Sequence, residues 1–177
     1  AIILYPSTHG TLVRAGLSLY GLWPSEVVET TTRRHSIACD LRPVLSWKTR
    51  IAQVRSIPAG VSVGYGMTET VSKPTRLAVL PVGYFDGYDR RLSSVGEVLI
   101  AGNRCKVLGR VCMNMMMVDA SSVPHVEPGQ EVILIGRSGR HEISAQTLAK
   151  QAKTIPYEIL ARLHPSLPRH IISESNV

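Results

Sequence analysis

Four short segments and one buried-looking arginine hold the residues best suited to chemistry. Tyr65 lies in Val-Gly-Tyr-Gly-Met-Thr (63–68), between Gly64 and Gly66, so no neighbouring side chain shields it and the backbone can turn sharply there. A phenol presented this way can reach out of its own domain into a cleft. Free tyrosine has a pKa of about 10, so it works as a base near neutrality only where a cation or a polarising hydrogen bond stabilises the phenolate. The same position also reads as a tyrosine packed at a strand end between permissive glycines. Tyr84 sits in Pro-Val-Gly-Tyr-Phe-Asp-Gly-Tyr (81–88), Met113 in Gly-Arg-Val-Cys-Met-Asn (109–114) and Tyr157 in Thr-Ile-Pro-Tyr-Glu (154–158). Arg14 interrupts the apolar run Leu12-Val13-Arg14-Ala15-Gly16, where a charge needs a partner or an opening to water. Gly16 would let backbone N–H groups approach an anion closely, but the default reading of Arg14 is a buried salt bridge, with a ligand site as the alternative. No G-x-S-x-G, G-x-x-x-x-G-K, H-E-x-x-H or G-x-G-x-x-G motif occurs, and the six histidines are scattered without metal-ligand spacing.

The elements that must position these residues are read from hydrophobic period and turn chemistry. Thr11 to Tyr20 fits a buried strand followed by a tight loop, and Pro24 to Pro43 has no sustained apolar period and reads as a connector. Beyond it, Leu45, Trp47, Thr49 and Ile51 alternate, Val61 and Val63 alternate before Tyr65, and Leu77 to Val82 is a compact apolar run. Gly96 to Ile100 and Arg104 to Leu108 are joined by Ala101-Gly102-Asn103, which supplies the positive-φ residues of a tight hairpin, and Val132 to Ile135 adds a further strand. Ser144 caps a helix running toward Gln151, and Thr154 caps another in which Ile155, Ile159 and Leu163 share a face, stopped by Pro165. Several short strands at this spacing suggest a barrel or a sandwich, and the expected fold class is mainly β, with a β-barrel-like domain over 41–177 carrying two short helices near its end. The methionines Met113, Met115, Met116 and Met117 fill gaps in a core or an interface.

With 177 residues, 44% hydrophobic and 19% charged, the chain falls among globular proteins and outside the disordered and fibrous classes. That length accommodates one full domain plus a remnant. A net charge of +7 is compatible with an anionic ligand, but the basic residues come in dispersed pairs such as Arg33-Arg34 and Arg90-Arg91, which argues against nucleic acid. Cys39, Cys105 and Cys112 are odd in number and lack C-x-x-C spacing, which argues against a disulfide framework or structural zinc. The start lacks a signal-peptide pattern and no run of about 18 apolar residues occurs, so a cytoplasmic location without membrane attachment is expected.

Taken together the motifs V-R-A-G-L-S-L-Y-G (13–21), V-G-Y-G-M-T, P-V-G-Y-F-D-G-Y, G-R-V-C-M-N and T-I-P-Y-E-I (154–159), with the closing Pro168-Arg169, resemble the C-terminal part of alanine racemase, a pyridoxal-phosphate isomerase of fold type III. Each motif is weak alone; their order and spacing make the resemblance specific, and it covers essentially the whole chain. It implies that residues 1–40 are the last strand and loop of a truncated N-terminal (β/α)8 barrel plus connector. It also implies a homodimer with active sites shared between subunits and no nucleic-acid partner. Tyr65 matches the catalytic tyrosine that takes the α-proton of L-alanine, working in the partner subunit's site. Arg14 matches the arginine on the pyridine nitrogen of pyridoxal 5'-phosphate. Gly16, Leu17 and Tyr157 match residues that bind its phosphate. Met113 matches the residue whose backbone N–H holds the substrate carboxylate, and Tyr84 the residue that with Tyr157 narrows the entrance to small substrates.

The family's cofactor-linked lysine lies in a motif similar to V-K-A-N-A-Y-G, and none of Lys48, Lys73, Lys106, Lys150 or Lys153 has that context. The resemblance therefore implies a fragment that is inactive alone, from an enzyme supplying D-alanine to the bacterial cell wall. Two positions depart from the family pattern: Asn114 where aspartate is usual, and Phe85 where a small residue is usual. The competing expectations are a non-catalytic β-barrel binding module, and a racemase of serine or of broader specificity.

Overall fold

The computed structural model describes residues 2–172. The chain divides between Ser46 and Trp47 into two compact units.

The first unit contains a short 3-10 helix at Pro6–Thr8, a second at Gly16–Tyr20 and the α-helix α1 at Glu26–Arg34, with no strand among its described residues. The strand expected at 11–20 is not formed. Leu12 and Leu19 stand 79% and 72% exposed, because a single extended segment has no neighbouring ladder to take up its N–H and C=O groups. The segment turns locally instead, ending at Gly21 in the left-handed region (φ +68). The expected connector over 24–43 likewise contains a helix. Ser25 caps α1 by accepting a hydrogen bond from Val28 N–H (3.2 Å), Glu26 and Glu29 occupy its first turn, and Arg33 and Arg34 its last. Those charges complement the helix macrodipole, and Glu29 pairs with Arg33 one turn on.

The second unit is a mixed β/α domain built on an eight-stranded antiparallel sheet. Its strands are β1 (Trp47–Arg50), β2 (Gln53–Ile57), β5 (Thr75–Leu80), β6 (Glu97–Ile100), β7 (Asn103–Leu108), β8 (Met116–Asp119), β9 (Glu131–Ser138) and β10 (His141–Ile143). The order along the sheet is β1-β9-β6-β7-β8-β5-β2, with β10 pairing the far end of β9. A separate two-stranded hairpin joins β3 (Ser62–Val63) to β4 (Glu69–Thr70). The β6–β7 turn places Ala101 and Gly102 at φ +45 and +75, the consecutive left-handed pair that a two-residue hairpin connection requires.

This sheet is open, which corrects the expected β-barrel-like architecture. Closure would need a ladder between its ends, β1 and β2, and none is formed. The two strands are consecutive in sequence, yet the linking N–H groups of Ile51 and Ala52 donate to Gln130 and Val79. The outer strands carry Lys48, Arg50, Gln53 and Arg55, polar and charged side chains that protect an open edge.

The core lies on the inner strands. Leu80, Val98, Ile100, Val107, Met116, Val118, Val132 and Leu134 are fully buried, each contributing about 1.5–3 kcal/mol of apolar burial. Helix α2 (Ala145–Gln151) starts where Ser144 accepts from Thr147 N–H and packs against α3 (Pro156–Ala161), with Leu148, Ala149 and Ile159 all buried. Pro156 at the start of α3 presets its first turn, so the cap residue is Ile155 and not Thr154.

Candidate active site

Tyr65 stands at the tip of the β3–β4 hairpin, 74% exposed, between Gly64 (φ +83) and Gly66 (φ +75). Both flanking residues adopt a backbone conformation that an L side chain resists, and the turn closes with Met67 N–H donating to Gly64 C=O (3.1 Å). The phenol is thereby lifted off its own domain. The hairpin's inner face buries Val63 and Val71 against Leu77 and Leu108.

The hairpin tip touches the turn that opens the 109–114 segment. A Cβ on Gly64 would lie 3.0 Å from Arg110 N, and one on Gly109 would lie 2.6 Å from Val63 O, so these backbones approach as closely as they do only because both residues are glycine. The Arg110 guanidinium lies beside Gly66, with Nη1 3.3 Å from where a Cβ there would stand.

From Arg110 the chain runs to Met113, which is 52% exposed. Here it lies against the 83–89 loop: Tyr84 N–H donates to Cys112 C=O and Phe85 N–H to Met113 C=O, both at 3.0 Å. Gly83 allows this approach, since a Cβ on it would fall 2.1 Å from Cys112 O. Met113's own N–H meets no acceptor among the described residues. The loop is folded on itself by Asp86, whose Oδ2 accepts from Gly83 N–H (2.9 Å). Tyr84 and Phe85 are left exposed beside Met113, as is Asn114.

Tyr157, half-exposed on the first turn of α3, is fastened to the same loop by a four-residue ion cluster that sequence reasoning did not find. Asp89, with a side chain only 2% exposed, accepts from Arg91 Nη2 (2.6 Å) and from Arg162 Nη1 (3.4 Å). Glu158 Oε1 bridges the same two guanidiniums at 3.0 and 2.7 Å. Burial pulls the Asp89 carboxyl upward, but the hydrogen bonds and charge of Arg91 outweigh it and hold it below the usual carboxylate range. His164 adds a second tie by stacking its ring on Phe85 (4.5 Å between ring centres) and donating its backbone N–H to Asp86 C=O.

In the first unit, Arg14 is exposed, which excludes the buried salt bridge considered for it. Gly16 (φ +55) and Leu17 open the Gly16–Tyr20 3-10 helix, where backbone N–H groups have no preceding turn to receive them, and Leu17 anchors the turn by its buried side chain.

The second unit thus brings Tyr84 together with Met113, the Tyr65 hairpin together with the turn leading to Met113, and the Tyr157 helix together with the Tyr84 loop. Among the described residues there is no cluster of histidine, cysteine or carboxylate side chains able to hold a metal ion, and no helix long and apolar enough to cross a membrane.

Comparison with known proteins gives the chain a family. Residues 44–171 match the family described as alanine racemase, C-terminal domain. The chain is 42% identical over 173 residues to alanine racemase of Leptospira interrogans, covering 96% of this chain and 44% of that protein. It is 44% identical over 169 residues to that of Desulfosudis oleivorans, covering 96% and 42%. Among solved structures, alanine racemase from a D-cycloserine-producing Streptomyces lavendulae superposes with a TM-score of 0.85 at 36% identity, covering 97% of this chain and 43% of that one. The Bacillus anthracis enzyme with bound L-Ala-P superposes with a TM-score of 0.81 at 34% identity, covering 91% and 40%. The chain spans less than half the length of the relatives it matches. It belongs to the alanine racemase family of fold type III pyridoxal-phosphate enzymes, and carries that family's C-terminal domain.

Proposed function

We propose that this chain is the C-terminal portion of a cytoplasmic alanine racemase that interconverts L- and D-alanine with pyridoxal 5'-phosphate, and that Tyr65 is one of its two catalytic bases. The observation that carries this reading is the presentation of the Tyr65 phenol, exposed on a glycine-flanked turn and directed away from its own core. Mirror-image interconversion requires proton exchange on both faces of one planar carbon, which a single side chain cannot serve. Tyr65 Oη takes the α-proton of L-alanine on one face and returns it there in the reverse direction. A lysine outside this chain serves the other face.

The donor types these residues carry suit the cofactor's chemistry: a guanidinium and two backbone N–H groups in the first unit, and a phenol in the second. Arg14 would donate to the pyridine nitrogen, and a guanidinium, which keeps its proton in proteins, would not give it up to that nitrogen. Gly16 and Leu17 N–H and the Tyr157 hydroxyl would hold the phosphate. When bound, the cofactor supplies an electron sink that acidifies the substrate Cα–H. The Met113 N–H, which meets no acceptor among the described residues, would receive the substrate carboxylate, and Tyr84, with Phe85 beside it, would restrict the entrance to small side chains. Tyr65 and Met113 would serve the partner subunit's site in a homodimer.

The test is a hybrid enzyme in which this chain replaces the matching C-terminal part of the Leptospira relative. It is expected to racemise alanine, with Tyr65→Phe lowering kcat by about 10²–10⁴-fold. A hybrid that folds with cofactor bound yet is inactive would contradict the reading and favour a non-catalytic binding domain. Turnover of serine at a rate matching alanine would replace the substrate assignment.

A further inference from the structure

We propose that Glu69 is a positioning residue for the reaction: its carboxylate fastens the hairpin that presents Tyr65 to the turn that leads into Met113, so one joint sets both the proton-moving phenol and the carboxylate-binding amide. The inference rests on the roles given to Tyr65 and Met113 above. The need for a joint comes from the hairpin itself. Strands β3 and β4 are two residues each, paired as Ser62↔Thr70 and Val63↔Glu69, and the further backbone bonds of Val71 to Val61 and Gly60 lie at the end away from the tip, so the short ladder leaves the exposed tip unfixed.

Glu69 supplies the fixing from the pair nearest that tip, and both of its oxygens reach outside the hairpin. Oε2 accepts from Gly109 N–H at 2.8 Å, and Oε1 from Lys106 Nζ on β7 at 2.6 Å. Gly109 is itself in the left-handed region (φ +70) and packed against Val63 and Gly64, so no side chain of its own can make the connection. The next residues of that turn are held in series, with Gly109 C=O accepting from Ser94 N–H and Val111 N–H donating to Ser93 Oγ. Burial would raise the Glu69 carboxyl, but the Gly109 N–H and the Lys106 ammonium bring it below its ordinary value, so it stays an ionised acceptor through the neutral range. With its oxygens committed, Glu69 acts through Tyr65 and Met113, not on substrate.

The experiment measures backbone amide exchange by NMR on the full chain, comparing the unsubstituted protein with Glu69→Ala and Glu69→Gln. Glu69→Ala is expected to speed exchange at Gly109 and Met67 by about tenfold or more while amides of β5 and β9 are unchanged, and Glu69→Gln, which keeps an acceptor, to restore Gly109. In the hybrid enzyme the same Glu69→Ala change is expected to lower kcat and raise the primary isotope effect with α-deuterated L-alanine, and Glu69→Gln to recover most of the rate. Unchanged exchange at Gly109 and Met67, equal acceleration throughout the sheet, or a slower enzyme with an unaltered isotope effect would each overturn the proposal. Full activity in Tyr65→Phe would instead remove the assignment beneath it, a result that the exchange data do not share.

Discussion

Gly64, Tyr65 and Gly66 show how little of a side chain's role need lie in the side chain. The phenol is available because its two neighbours hold φ values above +70 and because the hairpin beneath it meets Gly109 backbone to backbone. Tyr65→Phe should therefore leave urea-unfolding stability within about 0.5 kcal/mol of the parent, since the ring is largely exposed. Gly109→Ala should cost about 1–3 kcal/mol, because it adds a steric contact with Val63 O to an unfavourable φ. Gly129→Ala, at φ +87 but with open space around it, should cost about 1 kcal/mol. A larger loss at Gly129 than at Gly109 would contradict this account of the hairpin contact. The exposure of Tyr65 on a sharp turn was legible in the sequence because its glycines are adjacent to it. Glu69 was not, because its partner Gly109 lies 40 residues away and no local period or turn signal marks a carboxylate that will find a distant amide.

Elements built from local signals were read correctly where period and turn chemistry agreed, as in the β6–β7 hairpin and the Ser144-capped α2. Helix α1 escaped because its signal is polar: a serine cap, acidic residues at the start and arginines at the end, with few apolar residues to set a period. Strand β8 was hidden among methionines, of which Met116 is fully buried while Met113 and Met115 are half-exposed. Closure of the sheet was not decidable from strand count, since it depends on whether two edges find each other. The tie between α3 and the 83–89 loop also rests on distant partners, and it gives this scale its prediction. Asp89 and Glu69 both have folded-state pKa values below their ordinary ones. Their stabilisation is fully present above the unfolded carboxylate values near 4, and is lost as pH falls through the folded values, where the unfolded chain binds more protons. Denaturant midpoints should thus drop between about pH 5 and pH 3, and Asp89→Asn should be less stable at pH 7 while losing less on acidification. A parallel pH dependence in the parent and Asp89→Asn would show that the cluster contributes nothing to it.

At the scale of the molecule, the chain carries the family's C-terminal domain, and none of its five lysines stands in a motif similar to V-K-A-N-A-Y-G. Lys106 and Lys48 are engaged with Glu69 and Glu131. Mixing the chain alone with pyridoxal phosphate and then borohydride should accordingly yield no adduct confined to one lysine, checked by peptide mass spectrometry, and a single trapped lysine would contradict the division of labour proposed here. The central claim, that Tyr65 serves the partner's site, is tested most directly by mixing two inactive hybrids, one carrying Tyr65→Phe and the other lacking the cofactor-linked lysine of the Leptospira barrel. If the phenol crosses the subunit boundary, random re-pairing produces mixed dimers with one intact site, and about a quarter of the parent racemase activity returns. If Tyr65 works within its own subunit, every site in every dimer stays defective, and the mixture remains as inactive as its components.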